Sequence, residues 1–181
     1  MKKLSLLLLI VMLIGSVVTG CGGSNDAGEK TVKIGGKAGT EAYVLANLAK
    51  VLLEEEGFKV KTKLGVKSVL ARKALETGEV DLYYEYTGTA YTVYHKASNK
   101  EVMTNPEKVY EWVKKKDKEQ NLLWLDRITY NNTYTVMLRE EDAKQWNIQS
   151  LSDLAAKAKK LGLTFGTDSE FYQRPDGLQA L

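Results

Sequence analysis

The sequence predicts an α/β protein with a parallel sheet, because strand-like and helical patterns alternate along its first half. Residues 31–34 and 58–62 alternate in hydrophobicity, and residues 80–84 are rich in tyrosine, as is typical of strands. Between them, residues 40–56 and 69–76 carry apolar side chains at helical spacing. The order strand, helix, strand, helix, strand favours parallel strands covered by helices on both faces.

Local signals predict where these elements begin and end. Thr40 has the side chain of an N-cap, and Gly57 and Gly78 are typical of helix ends. Residues 64–68 predict a turn. Lys37 lies among glycines whose spacing matches neither the Walker pattern nor the dinucleotide fingerprint, so the residues alone indicate a solvated loop lysine rather than a nucleotide site.

The second half predicts the same kinds of element. Asn105 followed by Pro106 is typical of a helix start, and this helix extends to about Lys118. Another helix, capped by Ser152, extends to about Lys160. Three further stretches predict strands: residues 121–126, 133–139 and the residues from 163 to 165.

Composition and charge argue against a nucleic-acid-binding protein. Hydrophobic residues make up 44% of the 181 residues and the formal net charge is +3, of which Lys2 and Lys3 supply two charges. This balance provides no basic stripe for a nucleic acid. The lysine run 114–116 is closely followed by Asp117 and Glu119, which indicates a solvated helix face.

Catalytic motifs are absent from the sequence. His95 is the sole histidine, has no motif around it and is interpreted as a surface side chain. No metal-ligand spacing and no G-x-S-x-G elbow occurs. We therefore expect no catalytic residues, no metal and no cofactor, and an enzyme is the weaker class.

The N-terminus predicts a cleaved targeting segment. Lys2 and Lys3 precede an apolar stretch, residues 4–14, that is too short to span a bilayer comfortably. The following V-T-G-C resembles the lipobox of bacterial lipoproteins, which implies a signal peptide of residues 1–20, lipid on Cys21 and a polar tether to residue 30. The alternative is an ordinary secretory peptide with an incidental thiol.

The stretch from Asp81 to Tyr94 holds five of the ten tyrosines in the chain. It predicts a strand, a turn at Gly88 and a helix start, with the hydroxyl of Thr87 or Thr89 as the cap. Ligands bind at such carboxyl ends of strands, and aromatic faces suit a cation. Half-buried packing of the tyrosines is the alternative.

Several motifs in order resemble one family. They are V-K-I-G-x-K-x-x-T-E, Y-E-Y-T-G-T, N-N-T-Y, S-D-L-A and F-Y-Q-R-P-D-G-L. Together, from about Thr31 to Leu181, they are similar to the substrate-binding lipoproteins of bacterial ABC importers for glycine betaine, choline and related quaternary amines. The resemblance implies a type II periplasmic-binding-protein-like α/β fold, with a first lobe at 31–126 and an incomplete second lobe at 127–181.

The resemblance also implies five ligand-binding residues. Tyr86 and Tyr134 match two walls of an aromatic cage around the quaternary ammonium. Thr89 and Lys37 match polar contacts near the ligand's carboxylate, and Arg174 matches the arginine that binds this carboxylate. Ring faces suit a trimethylammonium group, which donates no strong hydrogen bond, and a guanidinium fork suits a carboxylate.

The implied function is that of a lipid-anchored receptor on the extracytoplasmic face of the cell membrane, which delivers a quaternary amine to an importer permease. Two departures concern the ligand end: Ala42 stands where many members have glutamine, and residues 64–68 lack their glycine-rich turn. The chain also has the length of about half a mature member. The alternative is therefore a truncated or split, non-transporting lipoprotein, and we expect weak or absent ligand binding by this chain.

Overall fold

The structure of the protein, a computed structural model, describes residues 30–129 and 131–181. The predicted signal peptide, the lipidation site at Cys21 and the tether up to residue 29 lie outside the described residues. The chain divides into two compact units, one ending at Tyr84 and one from Glu85 to Leu181, which we call the first and the second unit. The lobe boundary at residue 126 stays a prediction.

The first unit contains strands and helices in the predicted order. Their bounds are β1 (Thr31–Lys37), α1 (Thr40–Glu55), β2 (Lys59–Val66) and α2 (Ser68–Glu76). The two strands pair in parallel. The predicted third strand at 80–84 is reduced to one parallel bridge between Leu82 and Ile34, where the N–H of Gly35 donates to the carbonyl of Leu82 at 2.8 Å.

Glycines let β1 continue through the segment that the sequence predicted as a loop. A Cβ on Gly36 would lie 2.5 Å from Cδ2 of Leu64, so any other residue there would force the end of that side chain to move. The predicted turn at 64–68 is wrong, because β2 extends to Val66 and Ser68 begins α2. The cap prediction at Thr40 is also wrong: Gly39 holds the N-cap position and Thr40 is the first helical residue.

Ile34 is the centre of the first unit's core. It is fully buried and packs with Ala46 and Ala49 of α1, whose small side chains let the helix lie close to the sheet. The opposite side of α1 is apolar and about half exposed, at Val44, Leu48, Val51 and Leu52. Only one face of this helix therefore contributes to the core.

The second unit consists of helices and irregular segments. The α-helices are α3 (Thr87–Thr89), α4 (Lys100–Met103), α5 (Pro106–Lys118), α6 (Glu140–Gln145), α7 (Leu151–Leu161) and α8 (Ser169–Gln173). A π-helix, Ala90–Tyr94, directly follows α3, and a 3-10 helix, Leu178–Ala180, ends the chain. Within the part of the chain that the structure describes, no helix is both long and apolar enough to cross a membrane.

The strands predicted at 121–126, 133–139 and 163–165 are wrong, since the structure assigns no strand to these residues. Several apolar side chains of these stretches face solvent: Leu123, Leu125 and Met137 are 77%, 79% and 85% exposed. A strand requires a hydrogen-bonded neighbour, and the described residues of this unit provide none.

Helix caps were predicted with mixed success. Asn105 caps α5 as expected, with its side chain accepting from the N–H groups of Glu107 and Lys108. The predicted cap Ser152 lies inside α7. Ser150 is the cap instead, because its hydroxyl accepts from the N–H of Asp153 at 3.1 Å. Ser150 and Ser152 flank Leu151, and the sequence analysis chose the second serine where the first is the cap.

The core of the second unit lies between the π-helix and α5. Ala90, Tyr91, Val109 and Val113 are buried together. The ring of Trp112 packs edge-on against Tyr91, with centroids 4.8 Å apart. Such edge-to-face pairs add specific geometry to the apolar contact.

Asp117 is fully buried beside this core, contrary to its predicted place on a solvated face. Its Oδ1 lies 2.7 Å from Nε2 of His95, and the indole N–H of Trp124 donates to its Oδ2 at 2.6 Å. The prediction of His95 as a surface side chain is wrong for the same reason, since only 11% of that side chain is exposed. The buried carboxylate is stable because side-chain donors satisfy both of its oxygens.

Candidate ligand site

The turn that leads into the candidate site begins at Tyr86. This residue is the N-cap of α3, and its carbonyl accepts from the N–H of Ala90 at 3.1 Å. Neither Thr87 nor Thr89 caps the helix, so both cap predictions are wrong. Both are helical residues, and the helix turns the side chain of Thr89 inward, where it is 4% exposed.

Arg174 lies beside Thr89, although the two are 85 positions apart in sequence. The arginine is 6% exposed, and its Nη1 donates to the hydroxyl oxygen of Thr89 at 3.1 Å. Arg174 directly follows α8, whose N-cap is Asp168. A short helix and its extended C-cap residue thus bring the arginine to the site.

Tyr134 completes the cluster from a third segment of the chain. The guanidinium carbon of Arg174 lies 5.4 Å from the centroid of the Tyr134 ring, a cation–π distance. The ring also contacts Phe171 of α8, with centroids 4.7 Å apart. Tyr134 remains 51% exposed, so much of its surface is open to solvent.

Asp176 holds the guanidinium of Arg174 through two parallel hydrogen bonds. Nε and Nη2 of the arginine donate to Oδ1 and Oδ2 of the aspartate, each at 2.8 Å. The hydroxyl of Thr92 lies 3.0 Å from the same Oδ2 and 2.8 Å from the carbonyl of Gly88. Glu170 adds a further carboxylate, 3.6 Å from Nη1 of Arg174.

The electrostatics of the cluster follow from these contacts. Burial alone would raise the pKa of Asp176, but the hydrogen bonds and the charge of Arg174 outweigh it, and the pKa is lowered from its ordinary value. Burial would lower the pKa of Arg174, but Asp176 raises it instead. Burial raises the pKa of Tyr134 despite the nearby arginine. All three groups therefore keep their ordinary charge near neutral pH.

The remaining predicted site residues are Lys37 and Tyr86. Lys37 is the last residue of β1 in the first unit, where it is 6% exposed, so it is a buried strand residue rather than a solvated loop lysine. Tyr86 is half-buried at the start of α3, one helical turn before Thr89. The structure brings Thr89, Tyr134 and Arg174 together within the second unit.

Sequence analysis missed Asp176, Thr92 and Phe171 as members of the cluster. Asp176 stands inside the R-P-D-G motif, two residues after the arginine, so its proximity to Arg174 could have been inferred. The Thr92 contact spans 84 residues and leaves no local signal. The cluster as a whole combines a half-exposed aromatic ring, which suits an organic cation, with a hydroxyl and a guanidinium that are buried and hydrogen-bonded to each other.

Comparisons with known proteins agree with this chemistry. Residues 30–181 match the family model described as the substrate-binding domain of the ABC-type glycine betaine transport system. A glycine-betaine-binding protein of Pseudomonas aeruginosa is 38% identical over 92% of this chain and 56% of its own length. The carnitine transport binding protein OpuCC of Listeria monocytogenes is 32% identical over 99% of this chain and 60% of its own length.

A solved structure shows the same fold. Apo YehZ from Escherichia coli superposes with a TM-score of 0.56 at 35% identity, covering 83% of this chain and 54% of that one. The predicted periplasmic-binding-protein-like α/β fold is confirmed by this likeness, and the chain spans about half the length of these relatives. The chain belongs to the family of substrate-binding domains of ABC-type glycine betaine transport systems.

Proposed function

We propose that this protein is an extracytoplasmic receptor that binds a quaternary amine, such as glycine betaine, choline or carnitine, and delivers it to an ABC importer in the membrane. The observation that supports this most directly is the cluster of Thr89, Tyr134 and Arg174. Three distant segments of the second unit meet there, and each supplies a group that the family motifs associate with the ligand.

The physical argument concerns the ligand's cationic end. A trimethylammonium group has no N–H to donate, so its best partners are aromatic faces and nearby negative charge. Tyr134 provides a half-exposed ring, and we propose that Tyr86 provides a second wall, as the Y-E-Y-T-G-T motif implies. Thr89 accepts from Arg174 through its oxygen and so keeps its own proton for a polar group of the ligand.

We propose that Lys37 assists at the polar end of the ligand and that lipid on Cys21 anchors the protein to the cell membrane. Lys37 is supported by its burial at the carboxyl end of β1, where ligands of α/β proteins bind. The anchor is supported by the lipobox-like V-T-G-C. Fatty-acid labelling tests it, since Cys21→Ser should lose the label.

Ligand titration of Tyr134 variants tests the proposed site. The full-length chain in a non-ionic detergent is titrated with choline and with glycine betaine, and binding is followed by NMR of the ligand's methyl groups. We expect Tyr134→Ala to weaken binding by about 0.5–2 kcal/mol, because one aromatic wall is lost. Tyr134→Phe should be milder because the ring face remains.

Tyr172→Ala is the matched control, because Tyr172 also lies near Arg174 in sequence but is 59% exposed and has no assigned role. It should bind like the wild type. Because the chain spans about half the length of its relatives, we expect weak binding, so the titration extends to high ligand concentration. Absence of binding of both ligands even there would contradict the proposed function for this chain by itself. Equal affinities for the wild type and Tyr134→Ala would show that the Tyr134 ring is not a wall of the ligand site, and would contradict the proposed aromatic cage.

A second candidate function is a half-receptor that works only with a complementary chain. The observation that favours it is the exposure of apolar residues at the predicted strand positions, notably Leu125 and Met137. Such surfaces promote association. Sedimentation of the full-length chain tests this, since self-association without ligand binding would favour the half-receptor over the autonomous one.

A further inference from the structure

We propose that Glu85 is a positioning residue for the aromatic wall that Tyr86 supplies to the ligand site. Its carboxylate links the backbone of Tyr86 to the hydroxyl of Tyr94, and through that ring to the core of the second unit. This inference rests on the proposed function, because it concerns how one wall of the same site is held in place.

The carboxylate of Glu85 accepts hydrogen bonds from both ends of one helical segment. Its Oε1 accepts from the N–H of Tyr86 at 2.6 Å, and its Oε2 accepts from the hydroxyl of Tyr94 at 2.6 Å. Tyr86 directly precedes α3, and Tyr94 is the last residue of the π-helix that follows it. Hydrogen bonds to an ionised acceptor are stronger than those between neutral groups, so this link is a firm one.

Tyr94 is a suitable anchor because its side chain packs against the core of the second unit. The most buried residues of that core include Tyr91 and Val113, which are 2% and 0% exposed. Side chains in a close-packed core have few alternative positions. The hydroxyl of Tyr94 therefore presents a fixed donor to Glu85.

The backbone of Tyr86 depends on such a link because the helix that follows cannot hold it. The N–H of an N-cap residue has no acceptor within its own helix, and α3 comprises three residues. Glu85 supplies the acceptor and so restrains the backbone from which the Tyr86 ring projects. A wall that is ordered before the ligand arrives spares binding the entropic cost of ordering it.

The test measures choline affinity and hydrogen exchange of the Tyr86 amide in the full-length chain, in a non-ionic detergent. Tyr94→Phe removes the hydroxyl but keeps the ring and the charge of Glu85. It should weaken choline binding about threefold, as expected for one hydrogen bond, and should speed up exchange at Tyr86 without ligand. Glu85→Ala removes both contacts and should weaken binding about tenfold.

A double variant tests whether the two side chains act through one contact. If they do, Tyr94→Phe should change the choline affinity little in a chain that already carries Glu85→Ala. A further threefold loss in the double variant would overturn the proposal, because the Tyr94 hydroxyl would then act independently of the carboxylate.

Tyr110→Phe serves as the control for a purely structural effect. The hydroxyl of Tyr110 donates to the carbonyl of Leu125 at 3.0 Å, elsewhere in the second unit. Its removal should lower stability but leave the choline affinity and the exchange at Tyr86 unchanged. If Tyr110→Phe weakens choline binding as much as Tyr94→Phe does, the effect is one of general stability and the proposal is overturned.

The outcomes distinguish this inference from the proposed function. If the wild type binds neither choline nor glycine betaine, the proposed function fails and this inference fails with it. If the wild type binds choline and Tyr94→Phe leaves the affinity unchanged, only this inference is overturned, even where Glu85→Ala weakens binding, because Glu85 would then act through its charge alone. Tyr94→Phe keeps the shape of the side chain, so it decides the matter even if Glu85→Ala does not fold.

Discussion

The two units differ in what lies at their most buried positions. In the first unit this is Ile34, an apolar side chain in the sheet, whereas in the second unit a carboxylate, that of Asp117, is as fully buried as the apolar Ala90 and Val113. Removing one methyl group from an apolar core has a moderate cost, because neighbouring side chains relax partly into the space. Removing a buried carboxylate costs more, because its specific donors are left without a partner. The second unit therefore depends more strongly on individual side chains.

The largest effect that we expect is from Asp117→Ala. His95 and Trp124 would lose their shared acceptor, and removal of one partner of a buried charged network typically costs about 3–5 kcal/mol. Amide hydrogen exchange measures it: protection in α5 should fall, with the amides of β1 and β2 as the reference. Glu119→Ala, which removes an exposed ion pair with Lys116, is the control and should cost less than about 1 kcal/mol.

If the amides of α5 stay protected from hydrogen exchange in Asp117→Ala, the buried carboxylate is dispensable. The second unit would then not depend more strongly on individual side chains than the first.

A smaller effect is expected from Ile34→Val in the first unit. One methylene group is removed from a fully buried site, which costs about 0.5–1.5 kcal/mol. Val44→Ala on the exposed side of α1 is the control and should change stability by less than about 0.5 kcal/mol. Loss of protection is measured at the amides of β1. A cost for Ile34→Val as large as that for Asp117→Ala would show that both units are equally sensitive to single side chains.

The smallest effect that we expect is on the stability of the second unit at acidic pH. The pKa of Asp176 is lowered in the folded state, so its contribution to stability is complete above its ordinary pKa of 3.8 and is lost as pH falls through the lowered folded value. Protection near α8 should decline over this range in the wild type. Asp176→Asn should show a shallower decline, and identical acid profiles would mean that the Arg174 pair does not stabilise the second unit.

Sequence analysis found the features that depend on neighbouring residues. Asn105 and Gly57 mark helix ends through local geometry, and β1 and β2 follow from local alternation. The strands predicted around Leu123 and Met137 failed because pairing depends on a partner, which the sequence pattern does not specify.

The candidate site and its surroundings likewise contain residues that local motifs predict and contacts that they do not. Motifs identified Thr89, Tyr134 and Arg174, and the structure places them together, while their ligand roles stay predictions. The contact between His95 and Asp117 spans 22 residues and depends on how α5 packs against the π-helix. The hydrophobic periodicity of α5 and of the π-helix does not predict how the two pack against each other.

The π-helix at Ala90–Tyr94 has a consequence for how this segment can change over evolution. Its wide turn, closed by the N–H of His95 donating to the carbonyl of Ala90 at 3.0 Å, holds one residue more than an α-helical turn. Deleting one codon inside this segment would change which residue occupies each position of the turn, so that a neighbour would take the position from which Thr92 contacts Asp176. Substitutions in this segment should therefore be tolerated more often than insertions or deletions.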